Sequence, residues 1–214
     1  MNNYQQTQNQ LKIDATNRLG RTDKIDRQIN KAQSDLIVLR YMAQKVRVML
    51  HSPDRTLDSP SLYFLEERQR RAHRIAIYDS QTLLQDTDLS FVGFVSGKQQ
   101  GIDPFIEEEL ERADKIMLTE LARIPGLLAY SSMELRTRTW YNLVLMSSLD
   151  AKSHLRNVQM HQYASYQLAP HYYEWIRLHN GTIASGLASH ALKLGSTKYY
   201  TFQNRRPTMR ELVY

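Results

Sequence analysis

From Ile25 to Leu50 the residues Ile25, Ile29, Ala32, Leu36, Leu39, Ala43, Val46 and Leu50 recur at alternating intervals of four and three. That spacing keeps one apolar stripe on one side of a helix for several turns, further than any amphipathic strand runs. Thr22, followed by Asp23, suits its N-cap. Ile37, Val38, Tyr41, Met42, Val48 and Met49 broaden the stripe in its second half, so that half touches more than one neighbour. Residues 1–20 are rich in Gln, Asn and Thr and read as a mobile lead-in with little to bury.

Ser52-Pro53-Asp54 and Asp58-Ser59-Pro60 break this helix and restart the chain, with Ser59 suited to an N-cap and Pro60 to a first helical turn. A second helix is expected, its seam Leu62, Leu65, Gln69, Ala72 and Ala76 repeating the same spacing. The two would close as an antiparallel helical hairpin; an intermolecular coiled coil is the alternative. Residues 21–84 form a basic helical region on which Arg68, Arg70, Arg71 and Arg74 outnumber Glu66 and Glu67. Of the net charge of +6, residues 1–84 supply five, with 14 Lys and Arg against 9 Asp and Glu. Such a bias fits a solvated helix face or docking to an acidic protein partner. Aromatic residues are not interleaved with these arginines, so there is no strong nucleic-acid signal.

The chain has no cysteine, which removes disulfides, thiolate ligands and cysteine nucleophiles and fits a reducing compartment. No apolar run approaches the ~18 residues of a membrane span and none opens the chain, so the expectation is a cytoplasmic protein with no transmembrane segment.

Past Gln85 the pattern changes. Residues 89–96 are short, aromatic and β-branched, as a buried strand should be. Asp103-Pro104 starts a helix with the stripe Phe105, Ile106, Leu110, Ala113, Met117 and Leu121, which Pro125-Gly126 stops. The cluster Glu107, Glu108, Glu109 and Glu111 sits near the positive end of that helix, where it has a structural explanation. Residues 127–136 and 139–147 read as two strands of a hairpin, 150–168 as a second helix interrupted at Ala169-Pro170, residues 172–179 as a fourth strand and 191–202 as a further one. Asn180-Gly181 is a hairpin signal. The fold class is therefore α+β, with a β-α-β-β-α-β sheet domain over residues 85–214. Both helices on one face would leave the other uncovered and in need of a partner.

Residues 89–202 resemble the antibiotic-biosynthesis-monooxygenase-like domains of the dimeric α/β-barrel, ferredoxin-like superfamily. The resemblance rests on element order, the strand at 89–96, the hairpin strand from Trp140 to Ser147 and the His-bearing helix after it. It implies a homodimer whose sheets pair into a barrel, a small aromatic or apolar ligand, and cofactor-independent oxygenation by a monooxygenase-like enzyme, with no cofactor needed. Haem-degrading members place an axial histidine on the helix after the hairpin; by position that falls near Ser165 here, and His161 lies one turn earlier. The helices before residue 80 lie outside the resemblance and favour a non-enzymatic interaction or assembly protein as the alternative.

On this reading His161 and Asn142 are the candidate catalytic residues, and Trp140, Tyr173, Trp175, Arg177 and His179 the candidate ligand-binding ones. As a strand, residues 172–179 would put Tyr173, Trp175, Arg177 and His179 on one face. Aromatics followed by cations suit a planar or anionic ligand, or equally a packed core or dimer contact. Arg68, Arg70, Arg71 and Arg74 are the candidate partner-docking residues. His154 and His161 lie seven apart on a helix, too far for one ion, and no carboxylate completes a ligand set, so no metal site is expected. No phosphate loop, nucleophile elbow or dinucleotide fingerprint is present.

Overall fold

The computed structural model describes residues 2–52, 60–85, 87–136, 138–203 and 205–214, with side chains from residue 25 onward except at 136. The expected Ser59 cap lies outside the described residues. The chain divides into two compact units, Met1–Asp35 and Leu36–Tyr214. The first is helical: helix α1 (Asn2–Leu50) begins there, upstream of the expected Thr22 start, and its last residues belong to the second unit.

In the second unit eight strands form one antiparallel sheet. They are β1 (Ser61–Glu67), β2 (Arg71–Ile77), β3 (Leu89–Lys98), β4 (Leu127–Arg136), β5 (Thr139–Met146), β6 (Tyr173–Ile183), β7 (Leu192–Gln203) and β8 (Arg206–Val213), in the spatial order β1-β2-β4-β5-β3-β6-β7-β8. A short helix, α2 (Ser80–Leu83), follows β2, and α3 (Pro104–Leu121) joins β3 to β4. Asp103 caps α3 by accepting from the Phe105 N–H at 3.0 Å, and Pro104 fills a first-turn position that needs no donor. Between β5 and β6 lie α4 (Ala151–Asn157), α5 (Gln159–Tyr163), a π turn over Ala164–Leu168 and α6 (Ala169–Tyr172). The stretch expected as one helix over 150–168 is broken at Val158, whose extended backbone (φ −69°, ψ 123°) separates α4 from α5; at Ala169-Pro170 the backbone stays helical and only the ladder changes, through the π turn, since Pro170 has no N–H to donate. The molecule is thus an α+β fold in which an N-terminal helix precedes an antiparallel sheet.

Strand alternation gives the sheet two faces. On one, Ala76, Val92, Tyr130, Val144 and Met146 pack with Leu121, Ile124, Leu127, Ala151 and Leu155 under α3 and α4. On the other, residues 36–50 of α1 lie across the strands: Leu39 presses on Gly93 so closely that a Cβ there would stand 2.4 Å from its Cδ1. The heptad seam is what α1 buries there, with Leu36, Leu39, Ala43, Val46 and Leu50 all sequestered. The face that the sequence left for a partner is covered, beneath this stretch, by the chain's own helix.

Three further expectations change. The second helix is a β-hairpin, β1 and β2, so the extension is one helix followed by strands that belong to the sheet. His73, Ile75 and Ile77 alternate onto the α1 face, each at most 2% exposed, and this burial outweighs the helical spacing of Leu62, Leu65, Ala72 and Ala76. The chain does not turn at Asn180-Gly181; β6 runs through them with a register shift against β7. Gly181 is needed because a Cβ there would meet the Lys193 carbonyl at 2.2 Å and the Phe91 ring at 2.5 Å. Lastly, β8 is an additional strand on the edge beside β7.

Candidate functional site

The expected site residues are divided between the two faces. Asn142 and Trp140 lie on β5 and point toward the helices; the Asn142 Oδ1 accepts from the Tyr130 hydroxyl at 3.0 Å. Tyr173 joins this side, its ring edge-on to Phe94 at 5.5 Å between centroids and to Tyr172 at 4.9 Å. Burial drives the Tyr173 hydroxyl far above its ordinary pKa and that of Tyr130 to about 12, so both stay neutral. His161 is half-buried on α5, and burial, aided by the Arg156 charge, lowers its pKa. No hydrogen bond or ring contact among the described residues joins His161 to Asn142 or Tyr173.

Trp175, Arg177 and His179 face the other way. A register shift between Gly97 and Lys98 pairs Gly97 with Trp175 but Lys98 with Tyr173, and this extra residue turns Tyr173 to the face opposite Trp175. The Trp175 indole fills the space over Gly97, where a Cβ would come within 2.4 Å of Nε1, and the Arg177 guanidinium lies 4.1 Å from the Trp175 ring centroid. His179 is fully buried, its Nδ1 2.8 Å from the Thr197 hydroxyl. One continuous pocket lined by all five expected ligand residues is therefore not formed.

The four arginines also separate. Arg68 and Arg70 stand exposed at the tip of the β1–β2 hairpin, and Arg71 beside them donates to the Gln69 side chain. Gln69 and Arg70 both take left-handed backbone angles, φ 65° and 56°, which cost a non-glycine residue roughly 1 kcal/mol each. Arg74 points to the helical face and grips Asp114 through two bonds of 2.8 Å.

The structure assembles one polar constellation that the sequence did not suggest. The His73 Nδ1 lies 2.8 Å from Glu67 Oε1 and its Nε2 2.8 Å from the Ser131 hydroxyl. From α1, the Tyr41 hydroxyl donates to Glu67 and the Lys45 Nζ stands 3.6 Å from it. Burial lowers the His73 pKa, more than its hydrogen bond to Glu67 raises it. Burial would raise Glu67, but its bonds with Tyr41 and His73 and the Lys45 charge outweigh that and hold the carboxyl below its usual range. The order carboxylate, imidazole, hydroxyl is that of a hydrolase triad. Ser131, however, is wholly inaccessible, and its strand is laddered on both sides, by β2 and by β5, leaving no free backbone donors to hold an oxyanion. The relay satisfies buried polar groups and ties three strands to α1. Nothing local in the sequence pairs Glu67 with His73 or Ser131.

Among the described residues no group of three or more His, Asp or Glu side chains could hold a metal ion, and no helix is long and apolar enough to cross a membrane. Comparison with protein-family models, curated proteins and solved structures found no match.

Proposed function

We propose that this is a non-enzymatic interaction or assembly protein whose β1–β2 hairpin tip docks an acidic partner. One observation carries the reading: Arg68 and Arg70 are held out at a backbone-strained turn, while of the two carboxylates that precede them Glu67 is bound inward by His73, Tyr41 and Lys45, which leaves the exposed Glu66 against two exposed arginines. Left-handed angles on two exposed non-glycine residues are an outlier of the kind that clusters at functional sites. The proposal takes residues 89–183 as a ferredoxin-like unit, which the order β3-α3-β4-β5-helices-β6 and the neighbour order β4-β5-β3-β6 support.

Two observations weigh against a homodimeric monooxygenase-like barrel with an aromatic ligand. A barrel of two face-to-face sheets needs the second sheet face, on which residues 36–50 lie. The aromatic positions that would line its pocket are occupied by packing, Tyr173 on Phe94 and Trp175 over Gly97.

The test is fluorescence anisotropy with a labelled polyglutamate peptide, comparing the parent protein with the Arg68→Glu/Arg70→Glu variant. Removing two cations and adding two anions should weaken binding by about tenfold or more at low salt. Equal affinity, with unchanged circular dichroism, would overturn the reading.

A further inference from the structure

The outer side of α1 carries a second stripe. Ile37, Tyr41, Gln44 and Val48 repeat the four-three-four spacing of the buried seam on the opposite side, with Ile37 66%, Tyr41 38% and Val48 51% exposed. Two surface grooves run along it. One, of about 410 Å³, is lined by Ile37, Arg40, Tyr41, Gln44 and His190. The next, of about 440 Å³, is lined by Gln44, Arg47, Val48, Met49, His51 and Ser52. Gln44 borders both, so they adjoin as one shallow, open channel along the helix from Ile37 to Ser52, some ~22 Å.

Charge selects what can lie in it. Residues 36–52 contain Arg40, Lys45 and Arg47 and no Asp or Glu; Lys45 stands 3.6 Å from Glu67, which leaves Arg40 and Arg47 as the cations that set the sign. Arg40 donates to the Leu192 carbonyl at 3.2 Å and Arg47 lies 3.3 Å from the His190 Nε2, so neither is neutralised by a carboxylate in these contacts. A second copy of α1 laid in this channel would bring arginine against arginine, which disfavours self-pairing. Two exposed aliphatic side chains, Ile37 and Val48, on one side of a helix bordered by Arg40 and Arg47 fit an amphipathic helix with acidic flanks.

We propose that the outer face of α1 between Ile37 and Ser52 is a docking groove for an acidic amphipathic helix of a partner protein, anchored on Ile37 and Val48 and held by Arg40 and Arg47. The proposal extends the acidic-partner reading to a second, helix-specific surface and rests on that reading for the sign of the partner's charge. Because the chain has no cysteine, a Gln44→Cys variant takes a single environment-sensitive maleimide dye at the centre of the channel. The probes are two synthetic 18-residue peptides of identical Leu and Glu content: one places Leu at every third and fourth position, the other scrambles them. The stripe peptide should shift the dye emission to the blue and bind at least about tenfold more tightly than the scrambled one. Ile37→Asp/Val48→Asp should abolish that difference while leaving polyglutamate binding at the hairpin tip intact. Arg68→Glu/Arg70→Glu should do the reverse, so failure of either surface is read separately. Equal affinity for both peptides, or an unchanged preference in the Ile37→Asp/Val48→Asp variant, overturns the proposal. So does a concentration-dependent dimer in sedimentation that the same two substitutions dissociate, since the groove would then be filled by a second copy.

Discussion

The two faces of the sheet bury their polar groups by different means. Under α3 and α4, charge is kept as charge: Arg74 and Asp114 meet in a two-pronged pair at the margin of an aliphatic core. Under α1, hydrogen bonds to imidazole carry the polar groups, with His73 between the Glu67 carboxylate and Ser131 and His179 against Thr197, both histidines no more than 1% exposed. A buried imidazole can be satisfied as a neutral ring, whereas a guanidinium cannot shed its proton and must find a carboxylate. The difference makes the α1 face the acid-sensitive one and the helical face the salt-sensitive one.

The largest expected effect tests whether α1 is part of the fold or only a cover. Leu39 is fully buried against Gly93, so Leu39→Ala should lower unfolding free energy in urea by about 3 kcal/mol, within the usual range for a core leucine. Met146→Ala, equally buried on the helical face, should cost a similar amount. Comparable losses make both layers structural. A loss below about 1 kcal/mol at Leu39 alone would make residues 36–50 a detachable cover, and the second sheet face would again be open to a partner.

The next effect is smaller and depends on pH. The folded-state pKa of His73 lies below its ordinary value because burial opposes the charge. The unfolded chain therefore takes up the proton first as pH falls, and stability is lost from about pH 6.5 down to the lower folded-state value, below which it levels off. Glu67, with its pKa depressed, adds a further loss at lower pH, as the solution falls through its folded value. His73→Ala should cost about 2 kcal/mol at pH 7.5 by leaving Glu67 and Ser131 without their shared partner. That cost should shrink by pH 5.5. Chemical denaturation across this range checks the sign; a His73→Ala penalty that grows with acidity would mean the ring is held protonated, and the contrast between the faces would fail.

How the sequence foretold these faces depends on how local each signal was. The seam from Leu36 to Leu50, the capped helix after Asp103 and the strands β3 to β7 were legible because periodicity and capping are written along contiguous residues. The β1–β2 hairpin was not, since Leu62, Leu65, Ala72 and Ala76 satisfy a helical spacing and the turn at Gln69-Arg70 lacks the glycine or asparagine that would announce it. The site was less legible than the fold. A one-residue register shift at Gly97 and Lys98 moves Tyr173 away from Trp175, Arg177 and His179, and alternation along one strand carries no trace of it. The relay from Glu67 through His73 to Ser131 draws on three strands and is closed by Tyr41 and Lys45 of α1, a convergence that exists only once the sheet has formed.

The smallest effect lies on the helical face. The Arg74 side chain is 19% exposed and that of Asp114 36%, so water and salt screen much of their attraction. Arg74→Lys keeps the charge but loses the two parallel bonds and the stacking over Tyr130, whose ring centroid lies 5.7 Å away. The expected loss is about 1 kcal/mol at low salt, falling by roughly half in 0.5 M sodium chloride, with no change in its size between pH 5.5 and 7.5 because neither arginine nor lysine titrates there. A penalty that instead varied with pH over that interval would couple Arg74 to the His73 relay across the sheet, and the two faces would have to be treated as one network.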